Sequence, residues 1–236
     1  SGLADGLLSL MDTSSYWPRT GRARLALLAL PVALLGGAVA AHHVVQSGFA
    51  SHMVIHVLNV AFIAPLLAWC WVHWYRRTGS SEQANALPLA AAFAEFVVVW
   101  GWHVPTAYEA ARASFVVFVI EQGSFLAVAW WLWVAALIAR YSGRRALAGQ
   151  SVAAMLFTSM HMTLLGTVLG MAPRFFYGSG AAPAIGSICT AGGLEQMHIG
   201  GAIMLVAAGS VYLAGGLWLA WQLLTPDAPE ANATRR

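Results

Sequence analysis

Six mostly apolar stretches, separated by short polar breaks, run along the chain at 24–45, 52–75, 86–103, 114–139, 150–171 and 196–224. A helix crossing a bilayer needs about 20 such residues, so the pattern predicts an all-α, polytopic membrane bundle of six transmembrane helices. What lies between the stretches is too short to build a second core. The reading is therefore a single membrane domain over 1–236, with a cytoplasmic or interfacial segment at 1–23 and a cytoplasmic tail at 225–236. Arginines followed by the apolar run 25–37 and Ala38-Val39-Ala40 have the look of a secretory signal, but the run is read as the first span. Pro31 and Pro65 are expected to kink spans one and two.

Composition agrees with this pattern. Of 236 residues, 59% are hydrophobic and 9% charged, and the mean hydropathy is +0.69, outside the range of a water-soluble domain. The net charge of +3 comes from 12 arginines, with no lysine, against 9 acids. Arg19, Arg22, Arg24, Arg76, Arg77, Arg140, Arg144, Arg145, Arg235 and Arg236 share one side of the predicted topology, and only Arg112 and Arg174 lie on the other. Arginine concentrates on the cytoplasmic side of membrane proteins, so both termini are placed there. The basic balance is thus a topology signal and not a nucleic-acid footprint. Cys70 and Cys189 fall on opposite sides of the membrane, which excludes a disulfide between them. No phosphate-binding glycine loop or nucleophile elbow is present, so no enzyme activity is expected.

The chemistry lies in the polar residues of the spans. In this topology seven of the eight histidines fall on the outer side or near mid-membrane, and only His73 is on the inner side. Polar side chains in hydrocarbon are costly and mark candidate sites. His52 and His56 are four residues apart and stack on one helix face; Asn59 extends the stripe, and Met53 is within reach. Such a pair can hold a metal ion or simply hydrogen-bond to neighbouring helices. Met160-His161-Met162 carries thioether and imidazole, ligands that suit Cu(I). At about 100° per residue its two methionines diverge by roughly 200°, so at most one can join His161. Methionine is also ordinary core filler. Glu121 is placed roughly 13 Å below the outer surface by the helical rise, with His52, His56, His103 and His161 as candidate partners. Glu95 lies nearer mid-membrane and is assigned no chemistry. Ser159, Thr163, Thr167, Gly166 and Gly170 read as positions of close helix packing.

His52-Met53-x-x-His56 leading into Ala64-Pro65, and Trp102-His103-x-Pro105 followed by Tyr108, resemble the polytopic CtaG-type cytochrome c oxidase assembly factors. So do Glu121 opening a Trp-rich span, the run from Leu169 to Tyr177 with Ala172-Pro173-Arg174, and Glu195-Gln196 ahead of Gly200-Gly201 and Met204. The likeness covers roughly 49–221. It implies a protein of the bacterial cytoplasmic (inner) membrane that helps to assemble a haem-copper oxidase of the respiratory chain, partners the oxidase subunits, and supplies copper as a metallochaperone. Family members often have seven spans, against six here, and a histidine where this chain has Gln122.

The leading expectation is a copper site open to the outer face, formed by His52, His56, His103 and His161, with Glu121 and Met53 or Met160 as further ligands. The first alternative is a small b-type cytochrome, with haem b held by His52 or His56 opposite His161. The second is an accessory subunit of a respiratory complex that binds no metal. A homodimer is left open.

Overall fold

The computed structural model describes residues 37–44, 48–77, 87–142, 144–177 and 189–225. The chain divides into Ser1–Ala41 and His42–Arg236. Of the first unit only 37–41 is described, and it is helical; the predicted first span otherwise lies outside the described residues.

Every regular element among the described residues is helical. We number them α1 (Phe49–Val57), α2 (Ala64–Arg77), α3 (Pro88–Trp102), α4 (Pro105–Ala113), α5 (Phe115–Tyr141), α6 (Arg145–Gly170), α7 (Cys189–Ile203) and α8 (Gly209–Leu224). Two π-helical segments, Leu58–Ile63 and Met204–Ala208, join α1 to α2 and α7 to α8 without interrupting the rods. Four helical runs are long and apolar enough to cross a membrane: Phe49–Arg76, Phe115–Tyr141, Arg145–Gly170 and Gly192–Leu224. The pair α3 and α4, bent by 74°, makes a fifth if counted as one broken span. The described residues thus supply four or five of the six predicted spans.

Proline accounts for two departures from regular α-helix. Pro65 lies two residues past the end of the first π segment, after Ala64. It donates no backbone N–H, and its ring crowds the carbonyl four residues back, so the turn ahead of it widens. Pro105 ends α3 by holding Val104 in an extended conformation (φ −68°, ψ 136°), and the chain restarts at once as α4. The sequence reading left 104–113 without an element. Its moderately apolar composition gives no span signal, and only the bend shows where it goes.

α6 lies at the centre of the bundle, against α3, α5, α7 and α8. Its contact with α7 is made by backbone: a Cβ on Gly166 would lie 2.7 Å from the Gly201 carbonyl oxygen and from the Leu205 nitrogen. Small residues allow this approach. Ser159 adds an interhelical hydrogen bond, its Oγ donating to the Gly209 carbonyl at 2.8 Å, whereas Thr163 and Thr167 donate back to their own helix. A second buried network ties four segments together. Tyr212 of α8 donates to Glu95 of α3 in a very short hydrogen bond, Thr158 of α6 donates to the other carboxylate oxygen at 3.3 Å, and the Tyr212 hydroxyl also lies 3.3 Å from the Val60 carbonyl of the first π segment. Glu95 therefore has a packing role that its sequence context did not announce. Trp69, Trp71 and Trp74 point outward from α2, as lipid-facing aromatic residues do.

Candidate metal centre

His52 and His56 share one face of α1, with ring centroids 4.3 Å apart. The Ser114 hydroxyl caps the start of α5, accepting from the Val117 amide, and two turns later Glu121 meets both imidazoles. His52 Nε2 lies 3.0 Å from Glu121 Oε1 and hydrogen-bonds to it. His56 Nε2 lies 3.4 Å from the same oxygen as an ion-pair contact without the alignment of a hydrogen bond. The three ligand atoms all fall within 4.8 Å of one another, and all three residues are buried. Two imidazole nitrogens and a carboxylate oxygen at this spacing can close around one metal ion.

The carboxylate is held from behind. Gln122 Nε2 donates to Glu121 Oε2 at 3.1 Å, and Asn59 Nδ2 in turn donates to both the backbone and side-chain oxygens of Gln122 at 3.1 and 3.2 Å. Ser124 Oγ donates to the Glu121 carbonyl at 2.7 Å and accepts from Trp102 Nε1 at 2.8 Å. Gln122, standing where the resemblance leads one to expect histidine, thus orients the cluster's acid. Outer partners of this kind fix ligand direction at metal sites.

His103 sits at the α3–α4 bend with its ring 5.7 Å from that of His56. Its Nδ1–H donates to the Val99 carbonyl at 2.6 Å, and its own carbonyl accepts from the Tyr177 hydroxyl at 2.9 Å. Burial pushes the Tyr177 hydroxyl above the ordinary tyrosine range, which keeps it a donor. Tyr177 also stacks on Phe49 at 4.8 Å and leans on Tyr108 of α4 at 4.5 Å, and Tyr108 packs on His52 at 4.9 Å. These three aromatic residues cover the cluster. The expected open mouth is therefore a closed one, because the bend at Pro105 folds α4 back over it.

The other expected ligands divide. Met53 is buried beside His56. Met160 is 59% exposed and points away from the bundle interior, because two residues along a helix reverse the direction of the side chain. His161 is buried elsewhere, wedged between Phe96 and Phe157 with ring centroids at 5.4 Å to each, and is not a member of the His52–His56–Glu121 group. His198 fixes the Ala172-Pro173-Arg174 turn, its Nε2 2.9 Å from the Ala172 carbonyl oxygen.

Met162, the other methionine of the Met-His-Met run, does face inward. With Met53, Met204, His56, His103 and Phe125 it lines a cavity of about 10 Å³ next to the cluster, closed further by Val57, Val60, Val99 and Ala208. Met204 was legible only as part of a family pattern. Its place at the cavity depends on the second π segment, for which the sequence carries no proline signal.

Apolar helices able to cross a bilayer, packed around a buried histidine–glutamate cluster, make this a helical membrane protein. The family model for the cytochrome c oxidase caa3 assembly factor (Caa3_CtaG) matches residues 6–225, and the chain belongs to that family. No curated protein and no solved structure matches it significantly.

Proposed function

We propose that this assembly factor binds a copper ion at His52, His56 and Glu121 and passes it to a subunit of the oxidase during maturation. The observation that carries the reading is the convergence of three buried ligand atoms from two helices. Copper is the cargo, and transfer is ligand exchange, so no bond-breaking catalysis is needed. With both termini cytoplasmic, as the arginine distribution favours, the cluster lies in the periplasmic half of a bacterial inner membrane. Release then requires the cap of Phe49, Tyr108 and Tyr177 to part. Haem fits poorly: the cavity at the cluster has room for about one small atom or ion, and His161 stands apart from the other histidines.

Protein purified anaerobically in detergent is expected to bind copper through these residues, and the double variant His52→Ala, His56→Ala is expected to lose it. Undiminished copper in that variant, with its helical content intact, removes the assignment. The metal-free reading, an accessory subunit, is favoured by one observation: Glu121 already has His52 and Gln122 as partners without an ion. Absence of metal from every preparation that co-purifies with an oxidase is the result that would select it.

A further inference from the structure

Beside the cluster lies a second set of donors of different chemistry. The ten residues around the cavity include no oxygen-bearing side chain. Their only polar side chains are His56 and His103, both buried; His103 Nε2 has no hydrogen-bond partner, and His56 Nε2 has only the unaligned contact with Glu121 at 3.4 Å. For His103 the tautomer follows from geometry. Its Nδ1 holds the proton that the Val99 carbonyl accepts, so Nε2 carries the free lone pair, the arrangement in which a backbone partner prepares a histidine for a metal. The same cavity is lined by three methionines from three separate segments: Met53 on α1, Met162 on α6 and Met204 on the second π segment.

We propose that Met53, Met162 and Met204, together with His56 and His103, form a soft subsite for a monovalent d¹⁰ cation, Cu(I), joined to the His52–His56–Glu121 site through the shared His56. This rests on the copper reading above and extends it. Methionine fills many cores without binding anything. Here, however, methionines from different segments line one cavity together with two histidines, and the buried Nε2 of His103 has no hydrogen-bond partner; such a nitrogen is costly unless something occupies it. Thioether and imidazole favour Cu(I) over harder ions, and the His/His/Glu set tolerates Cu(II) or Zn(II). One cavity of about 10 Å³ accepts a single ion. An ion at His56 can therefore exchange carboxylate oxygen for sulfur by a short shift, without leaving the protein.

The test uses the full chain in detergent, grown with selenomethionine, kept anaerobic and loaded with Cu(I). X-ray absorption at the copper edge is expected to show copper–selenium scattering. In a sulfur-methionine background, Met53→Leu, Met162→Leu, Met204→Leu is expected to weaken Cu(I) binding at least tenfold while leaving Zn(II) binding unchanged; His52→Ala, Glu121→Gln is expected to abolish Zn(II) binding and to weaken Cu(I) binding, with copper–selenium scattering retained by the Cu(I) that still binds. Copper bound with nitrogen and oxygen scattering alone, or a folded triple methionine variant with wild-type Cu(I) affinity, overturns the soft subsite and leaves the His/His/Glu reading standing. Loss of all Cu(I) in the His52, Glu121 variant with no selenium signal in the parent does the same. Failure of the parent protein to take up either Cu(I) or Zn(II) overturns both. The selenium signal is read on the unmutated sequence, so the result does not depend on whether the triple variant folds.

Discussion

The α6–α7 contact offers the sharpest stability prediction, because one added methyl has nowhere to go. In Gly201→Ala the new Cβ would stand 2.5 Å from the Gly170 nitrogen, 2.7 Å from the Gly166 oxygen and 2.9 Å from the Gly170 Cα. All three are backbone atoms that no rotamer change can move. To reach ordinary contact at 3.4 Å the helices must part by roughly 0.9 Å, and a gap of about 0.5–1 Å forfeits a quarter to a half of each dispersion contact along the face. Overpacking costs about 1–3 kcal/mol, and with no flexible neighbour to absorb the strain the expected loss is near the upper end, about 3 kcal/mol. Gly123→Ala is the matched control. Nothing lies within 4 Å of its added Cβ, and alanine is favoured over glycine inside a helix by about 1 kcal/mol. Thermal or denaturant unfolding in one detergent should therefore move in opposite directions for two chemically identical changes. Equal midpoints for the two variants would refute the claim that α6 and α7 meet backbone to backbone. The site should respond as well. Gly200, next to Gly201, abuts Phe49 and Met53, where its own Cβ would come within 2.6 and 2.8 Å of side-chain atoms, so a shifted α7 disturbs the face of α1 that carries His52 and His56.

Other outcomes follow from the buried hydrogen bonds. Tyr212→Phe removes the hydroxyl shared by Glu95 and the Val60 carbonyl, leaving buried acceptors unsatisfied at a cost of about 1–3 kcal/mol; combining it with Glu95→Leu should recover part of that loss, and strictly additive unfolding free energies in the cycle would argue against the contact. Tyr177→Phe deletes the bond to the His103 carbonyl, worth about 1 kcal/mol. If the aromatic cap controls access, a chelator should then strip copper faster from this variant than from the parent, and an unchanged rate would show that ions enter by another route.

Several features were legible in the chain because they are local. Apolar run length gives membrane helices, the spacing of His52 and His56 gives a shared face, and Pro65 marks a place where a backbone hydrogen bond must be missing. Gly166 and Gly170 announced a close helix contact, although not that Gly201 was its partner. Periodicity reports which way a side chain points relative to its own helix axis and nothing about what stands opposite.

The remainder was decided by tertiary structure. The sequence offered Met160 as the candidate ligand and not Met162, but both flank His161, and the docking of α6 in the bundle turns Met162 inward and Met160 out. It grouped His161 with the other histidines by depth, whereas lateral placement set it among phenylalanines. It left Gln122 looking like a lost ligand, and the approach of α1 to α5 made it the support of Glu121. By itself the sequence determined an all-helical membrane protein with imidazoles in costly places. Which donors share a cavity, and that aromatic residues close over it, depended on contacts between residues far apart in the chain, which no local pattern encodes.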